Sequence, residues 1–283
     1  MSIANSSMMV NLTMSIWSGR KLDRQVSEEV DVAKSTRARA GNYNKNLFAG
    51  VTELESIARK GGQIRNWHQM QTSPWGDGGE RLLTMANFLD YKGQLLIFKG
   101  EFEDLVKIFE SKYAHIISTQ AFTMGALFNR DDYPDADQIA RKFRLAYTFS
   151  PVPEVGDWRV ETDADTKREL NEEYKKVYED RLTTVTKDLW DRLHTCLTHM
   201  NERMTDTATG EKKIFRDSIL GNAVELCGLL TKLNIANDPK LEEARKLLES
   251  AVCNVDVKDL RASNGARQEV KAQVDEILNK FNW

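Results

Sequence analysis

Residues 166–204 read TKRELNEEYKKVYEDRLTTVTKDLWDRLHTCLTHMNERM, and their spacing decides the fold class. Leu170, Tyr174, Val177, Leu182, Val185, Leu189, Leu193, Cys196, Met200 and Met204 follow one another at steps of three to five. Steps near the helical period keep side chains on one face of an α-helix. No proline falls inside the stretch, so nothing forces it to break. A second stripe runs from Glu80 to about Asn129 through Leu82, Met85, Leu89, Leu96, Phe102, Leu105, Phe109, Tyr113 and Ile116. Gly93 and Gly100 interrupt it, each weakening a helix by up to ~1 kcal/mol relative to alanine. At the helical rise each stripe spans roughly 50–75 Å. The steps are too irregular for a sustained heptad dimer. The stripes read as intramolecular helix pairs.

Working outward, Val10, Leu12, Met14 and Ile16 alternate with Asn11, Thr13, Ser15 and Trp17, the period of a half-buried strand. Phe143, Leu145, Tyr147 and Phe149 alternate in the same way, and Asp157–Thr162 is a candidate third strand. Arg20 to about Lys34 reads as a helix, with Leu22, Val26 and Val30 at steps of four. Ser35–Asn46 reads as a loop or as the weak start of a helix that reaches Arg65 and is interrupted at Gly61-Gly62. Ser73–Gly79 is the clearest loop of the chain. Beyond Asp163 everything reads as helix, with Asp163 or Asp165 as candidate cap of the first: then Lys213–Asn234, a helix with Pro239 in its first turn, and Val257–Trp283. The predicted class is α+β, predominantly α, with long antiparallel helices and a small two- or three-stranded antiparallel sheet. That sheet joins Val10–Trp17 to Phe143–Phe149. Residues 1–162 are expected to form an N-terminal α+β region, and residues 163–283 a C-terminal helical bundle packed on it.

Composition bounds the function. The 283 residues are 41% hydrophobic with a formal charge of -3, enough for a sizeable core and not the footprint of a protein that grips duplex DNA over a wide face. Cys196, Cys227 and Cys253 are an odd number without close pairs, which reads as reduced thiols of a cytoplasm. Met1–Val10 carries no positive start for a secretory signal, and no run reaches the ~18 apolar residues of a membrane span. The expected location is the cytoplasm of whichever cell makes the chain, with no membrane partner.

Candidate chemistry is sparse. Cys196 and His199 share a helix face, but zinc wants four ligands and no second pair lies nearby, so they are weak metal candidates beside the plainer reading of a buried thiol. No cofactor is expected. Gly76-Asp77-Gly78-Gly79 before a helix start reads either as a phosphate-approaching loop or as a helix-start turn. Arg65, Trp67, His68 and Trp75 cluster around that loop. Such a cluster stacks unpaired bases, binds a protein partner or packs as a mini-core. Arg20, Lys21, Arg24, Arg37, Arg39 and Lys45 make the N-terminal fifth locally basic, either a solvated face or a contact with a nucleic-acid backbone.

Several motifs carry a resemblance. They are Trp17–Asp23, Asn42–Lys45, Pro74–Gly79 with Arg81-Leu82-Leu83, Phe128-Asn129 with Asp132-Tyr133-Pro134, Gly156–Val160 and Phe215–Ser218. Through them the chain resembles a family encoded by tailed bacteriophages and prophages, catalogued as a domain of unknown function. The resemblance implies an early or replication-associated gene, sometimes beside a MoxR-type AAA+ ATPase, which makes such an ATPase a candidate partner. It implies no catalytic residues.

The expectation that follows is a non-enzymatic phage-encoded interaction or adaptor protein. It would self-associate or bind a protein partner through its long helices. The alternative is a single-stranded nucleic-acid-binding or recombination/replication accessory protein.

Overall fold

A computed structural model describes residues 3–76, 78–154, 156, 163–205, 218–253 and 255–283. In chain order the elements are α1 (Ile3–Ser6), β1 (Ser7–Ser15), β2 (Arg20–Asp23), α2 (Arg24–Ala33), β3 (Tyr43–Asn46), α3 (Thr52–Gln71), β4 (Ser73–Pro74), β5 (Arg81–Thr84) and α4 (Met85–Met124). Then come α5 (Ala136–Ile139), β6 (Arg144–Pro151), α6 (Ala164–Met204), α7 (Ser218–Leu233), α8 (Pro239–Val252), α9 (Val257–Ala262) and α10 (Asn264–Lys280). The protein is α+β and predominantly α, with one four-stranded and one two-stranded antiparallel sheet among the described residues.

The two long stripes are the two long helices, of 40 and 41 residues. Asp163 caps α6 by accepting hydrogen bonds from the Asp165 and Thr166 amides, which otherwise lack partners in a first turn. Asp238 does the same for α8, whose first residue is Pro239. Gly93 and Gly100 do not break α4. The last helix is split, because Ser263 has extended backbone and caps α10 through the Ala266 amide.

The chain divides into two compact units that are discontinuous in sequence, not at residue 162. The first holds Met1–Asn11, Gln69–Tyr91 and Thr148–Trp283, the second Leu12–His68 and Lys92–Tyr147. In the first unit α6, α7, α8 and α10 pack around Leu193, Leu197, Met200, Leu230, Leu248 and Val274, all essentially without solvent exposure. The buried line of α6 runs Val185, Leu189, Leu193, Leu197, Met200, Met204. It passes through Leu197, where the sequence stripe passes through Cys196, and it leaves Val177 exposed.

The strand order of the larger sheet is β4-β5-β1-β6, so β1 does lie beside β6 as expected. β1 also pairs with β5, Ser7 opposite Thr84 and Val10 opposite Arg81, and β4 adds Ser73 opposite Leu82. The sequence reading placed Arg81–Thr84 in the long helix. Its contiguous buried Leu82-Leu83-Thr84 run suits a strand inside a sheet, but period alone does not separate that from a helix. The candidate strand Asp157–Thr162 lies outside the described residues.

Two arginines finish the C-terminus of α3 inside the first unit. Arg192 donates to the carbonyls of Gln69, Met70 and Thr72, and Arg81 to those of Gln69 and Thr72. They satisfy the carbonyls a helix leaves open at its end, where positive charge is also favoured.

In the second unit Arg20–Asp23 is a strand, not the start of a helix. It pairs with β3, Arg20 opposite Asn46 and Asp23 opposite Tyr43. Asp23 fixes the change of structure, since its carboxylate caps the Val26 amide and starts α2 only at Arg24. Phe48 is the hub of the core, edge-on to Trp17, Phe109 and Tyr133 with centroids 5.1, 5.5 and 5.6 Å away. The Gly61-Gly62 pair does not interrupt α3. Gly61 is a packing residue, because the Ile16 side chain occupies the space a Cβ would need, while Gly62 faces open space.

Candidate interaction surfaces

Two of the locally basic N-terminal residues, Lys21 and Lys45, meet carboxylates in the second unit. The Lys45 ammonium is buried and lies 3.0 Å from an Asp23 carboxylate oxygen and 2.7 Å from one of Asp132. It also donates to the Leu127 carbonyl at 3.0 Å. Lys21 pairs with the other Asp132 oxygen at 2.7 Å, its own side chain half exposed. The Val26 amide, with help from Lys45, holds the Asp23 carboxyl below its ordinary value. Burial pushes the Asp132 carboxyl up, but hydrogen bonds from Lys21 and Lys45 outweigh it and leave the net shift downward. Burial likewise opposes the charge on Lys45, and its two carboxylates override that and raise it.

This network floors a cleft of about 830 Å³. The wall is formed by Lys21–Gln25, Lys45 and residues 126–130, with Asp132. Three motifs of the resemblance, Trp17–Asp23, Asn42–Lys45 and Phe128-Asn129 with Asp132-Tyr133-Pro134, contribute residues to this neighbourhood. Asp132 and Arg130 were not among the sequence candidates. An ion pair between residues so far apart leaves no trace in spacing.

The other candidates are dispersed. Arg20 is exposed at the start of β2, and Arg37 and Arg39 are exposed between α2 and β3. Arg65 is exposed on α3, Trp67 is half-buried and edge-on to Phe98 at 5.2 Å, and His68 is buried. Trp75 is 2% exposed in the core of the first unit, edge-on to Tyr178 with the Arg181 guanidinium over its ring. It belongs to a different unit from Trp67, which packs on the core of the second. The glycine loop after Trp75 leads into strand β5 and not into a helix, so it offers no helix N-terminus to a phosphate.

Cys196 is largely buried, which pushes its thiol up to about 11, and His199 accepts a 3.4 Å hydrogen bond from Arg203. A thiol held neutral is a poor zinc ligand. Among the described residues no group of three or more His, Cys, Asp or Glu is placed to hold a metal ion. No helix among them is long and apolar enough to cross a membrane.

The second surface is on α4. Tyr91, Leu95, Phe98, Phe102, Phe109 and Tyr113 form its buried line. Met85, Leu89 and Leu96, which the sequence stripe joins to Phe102 and Phe109, are 48%, 78% and 50% exposed. The step of six from Leu96 to Phe102 is where the apparent stripe jumps from one face to the other. On the exposed face, Ala86, Leu89, Gly93, Leu96 and Gly100 follow at steps of three, four, three and four. That is a two-heptad seam of small residues at one core position and leucine at the other. A Cβ added at Gly93 or Gly100 meets nothing, so this side is open.

Compared with protein-family models, with curated proteins and with solved structures, the chain matches none.

Proposed function

We propose that the chain is an interaction protein of the phage-encoded kind it resembles, and that it self-associates through the exposed seam of α4. The carrying observation is the alternation of exposed leucine with glycine and alanine at heptad spacing. Small residues let helix backbones approach closely, and each leucine then fills the hole beside a small residue of a second copy. The same patch serves both copies, as a two-fold interface requires. Burying Leu89 and Leu96 contributes about 1.5–3 kcal/mol each.

Lys92 is exposed and Lys99 is half-buried, and both flank the seam. The test is amine cross-linking of an equal mixture of ordinary and nitrogen-15-labelled protein, read by mass spectrometry. Mixed-isotope cross-links joining Lys92 or Lys99 of one copy to Lys92 or Lys99 of another are expected. Cross-links within same-isotope chains alone would contradict the reading.

A further inference from the structure

The cleft of the second unit is richer in positive charge than its own structure uses. Its ionisable wall has four cations, Lys21, Arg24, Lys45 and Arg130, against two carboxylates, Asp23 and Asp132. Both carboxylates are taken by Lys45, with Lys21 sharing Asp132. Arg24 makes no ion pair among the described residues. Arg130 donates to the Tyr133 carbonyl at 2.9 Å, and the one carboxylate near it among the described residues is the exposed Asp135, at 3.8 Å. The ten-residue helix α2 opens on the same cleft, its residues Arg24 and Gln25 forming part of the wall. A helix start adds a partial positive charge.

A concave wall concentrates this unbalanced charge. Two surplus cations match a dianion better than a single carboxylate. Planar guanidinium groups suit phosphate oxygens because they donate in pairs. Phe128 and Leu22 give the cleft an apolar side. The volume lies within the roughly 300–1,000 Å³ of small-ligand sites. We infer that this cleft binds a phosphate ester attached to a flat ring, of nucleotide size, with Arg24 and Arg130 holding the phosphate and Phe128 beside the ring.

Isothermal titration calorimetry of the full chain at low ionic strength tests this, with ADP, pyrophosphate and adenosine as probes. Saturable binding of ADP is expected, tighter than that of pyrophosphate, with none for adenosine. Arg24→Gln and Arg130→Gln should each weaken ADP by about tenfold, the loss of one charge-assisted hydrogen bond. Neither side chain packs in the core, so circular dichroism of both variants should be unchanged. An oligonucleotide with and without a 5′-phosphate separates the two sources of this chemistry. Binding that needs the terminal phosphate supports a strand end, and binding by ADP alone supports a free nucleotide. No saturable binding of ADP, equal affinity for adenosine, or wild-type affinity in the double variant would overturn the inference.

Discussion

The Lys45 ammonium and an Asp132 carboxylate oxygen lie 2.7 Å apart with both side chains under a tenth exposed. This pair, with Asp23, joins the antiparallel strands β2 and β3 to the segment after α4. Removing one partner of a buried pair strands the other charge, which costs about 3–5 kcal/mol. Lys45→Met should therefore destabilise the second unit by about that amount. Urea unfolding followed by Trp17 fluorescence measures it, and a loss under about 1 kcal/mol would show that water already screens the pair.

The same network sets a pH dependence. The folded carboxyls of Asp23 and Asp132 sit below their ordinary value of 3.8. Their contribution is complete above that value and is lost as pH falls through the lowered folded values. Lys45 is raised above 10.5, so its contribution is complete below that value and is lost as pH rises through the raised one. The urea midpoint of the second unit should be level across the neutral range with respect to these groups and fall at both extremes. An acid limb beginning near pH 6 would assign the transition to other groups.

Adjacent glycines of α3 should respond with opposite signs. Gly61→Ala drives a methyl into Ile16, and overpacking of this kind costs about 1–3 kcal/mol. Gly62→Ala meets nothing, so the helix gains up to about 1 kcal/mol. Thermal midpoints of the two variants decide it. Equal shifts would mean that Ile16 does not seat against the helix.

The long helices and the strands β1 and β6 were legible because burial imposes a period on sequence, and α6 and β1 keep theirs over many residues. The strand β5 was not legible, since Leu82-Leu83-Thr84 is buried on consecutive residues and carries no period. Nor were the two faces of α4. Apolar residues line both, and only packing separates Leu95, which is buried, from Leu96, which is half exposed. Of the cleft, Lys21, Arg24 and Lys45 were visible, but Arg130 and the carboxylates were not, because Asp132 reaches Lys45 only through the fold. Trp75 stood beside Arg65 and Trp67 in sequence, yet the chain sends it into another core.

Thiol reactivity should separate the cysteines. Burial pushes Cys196 up to about 11 and Cys227 up to about 12, leaving almost no thiolate at neutral pH. Cys253 is exposed. A disulfide reagent added to native protein should label Cys253 first and the other two only on unfolding. Rapid labelling of all three would contradict the helical core of the first unit.

The central claim is self-association through the exposed seam of α4, and sedimentation equilibrium over a concentration series tests it most directly. The wild-type chain should show a mass of a multiple of its 32.3 kDa. Leu89→Asp and Leu96→Asp should return it to the monomer, because each places a charge in the seam. Val32→Asp, at a residue 73% exposed on α2, should leave the mass unchanged. A wild-type mass equal to the monomer at every concentration, or an oligomer indifferent to both leucine variants, would contradict it.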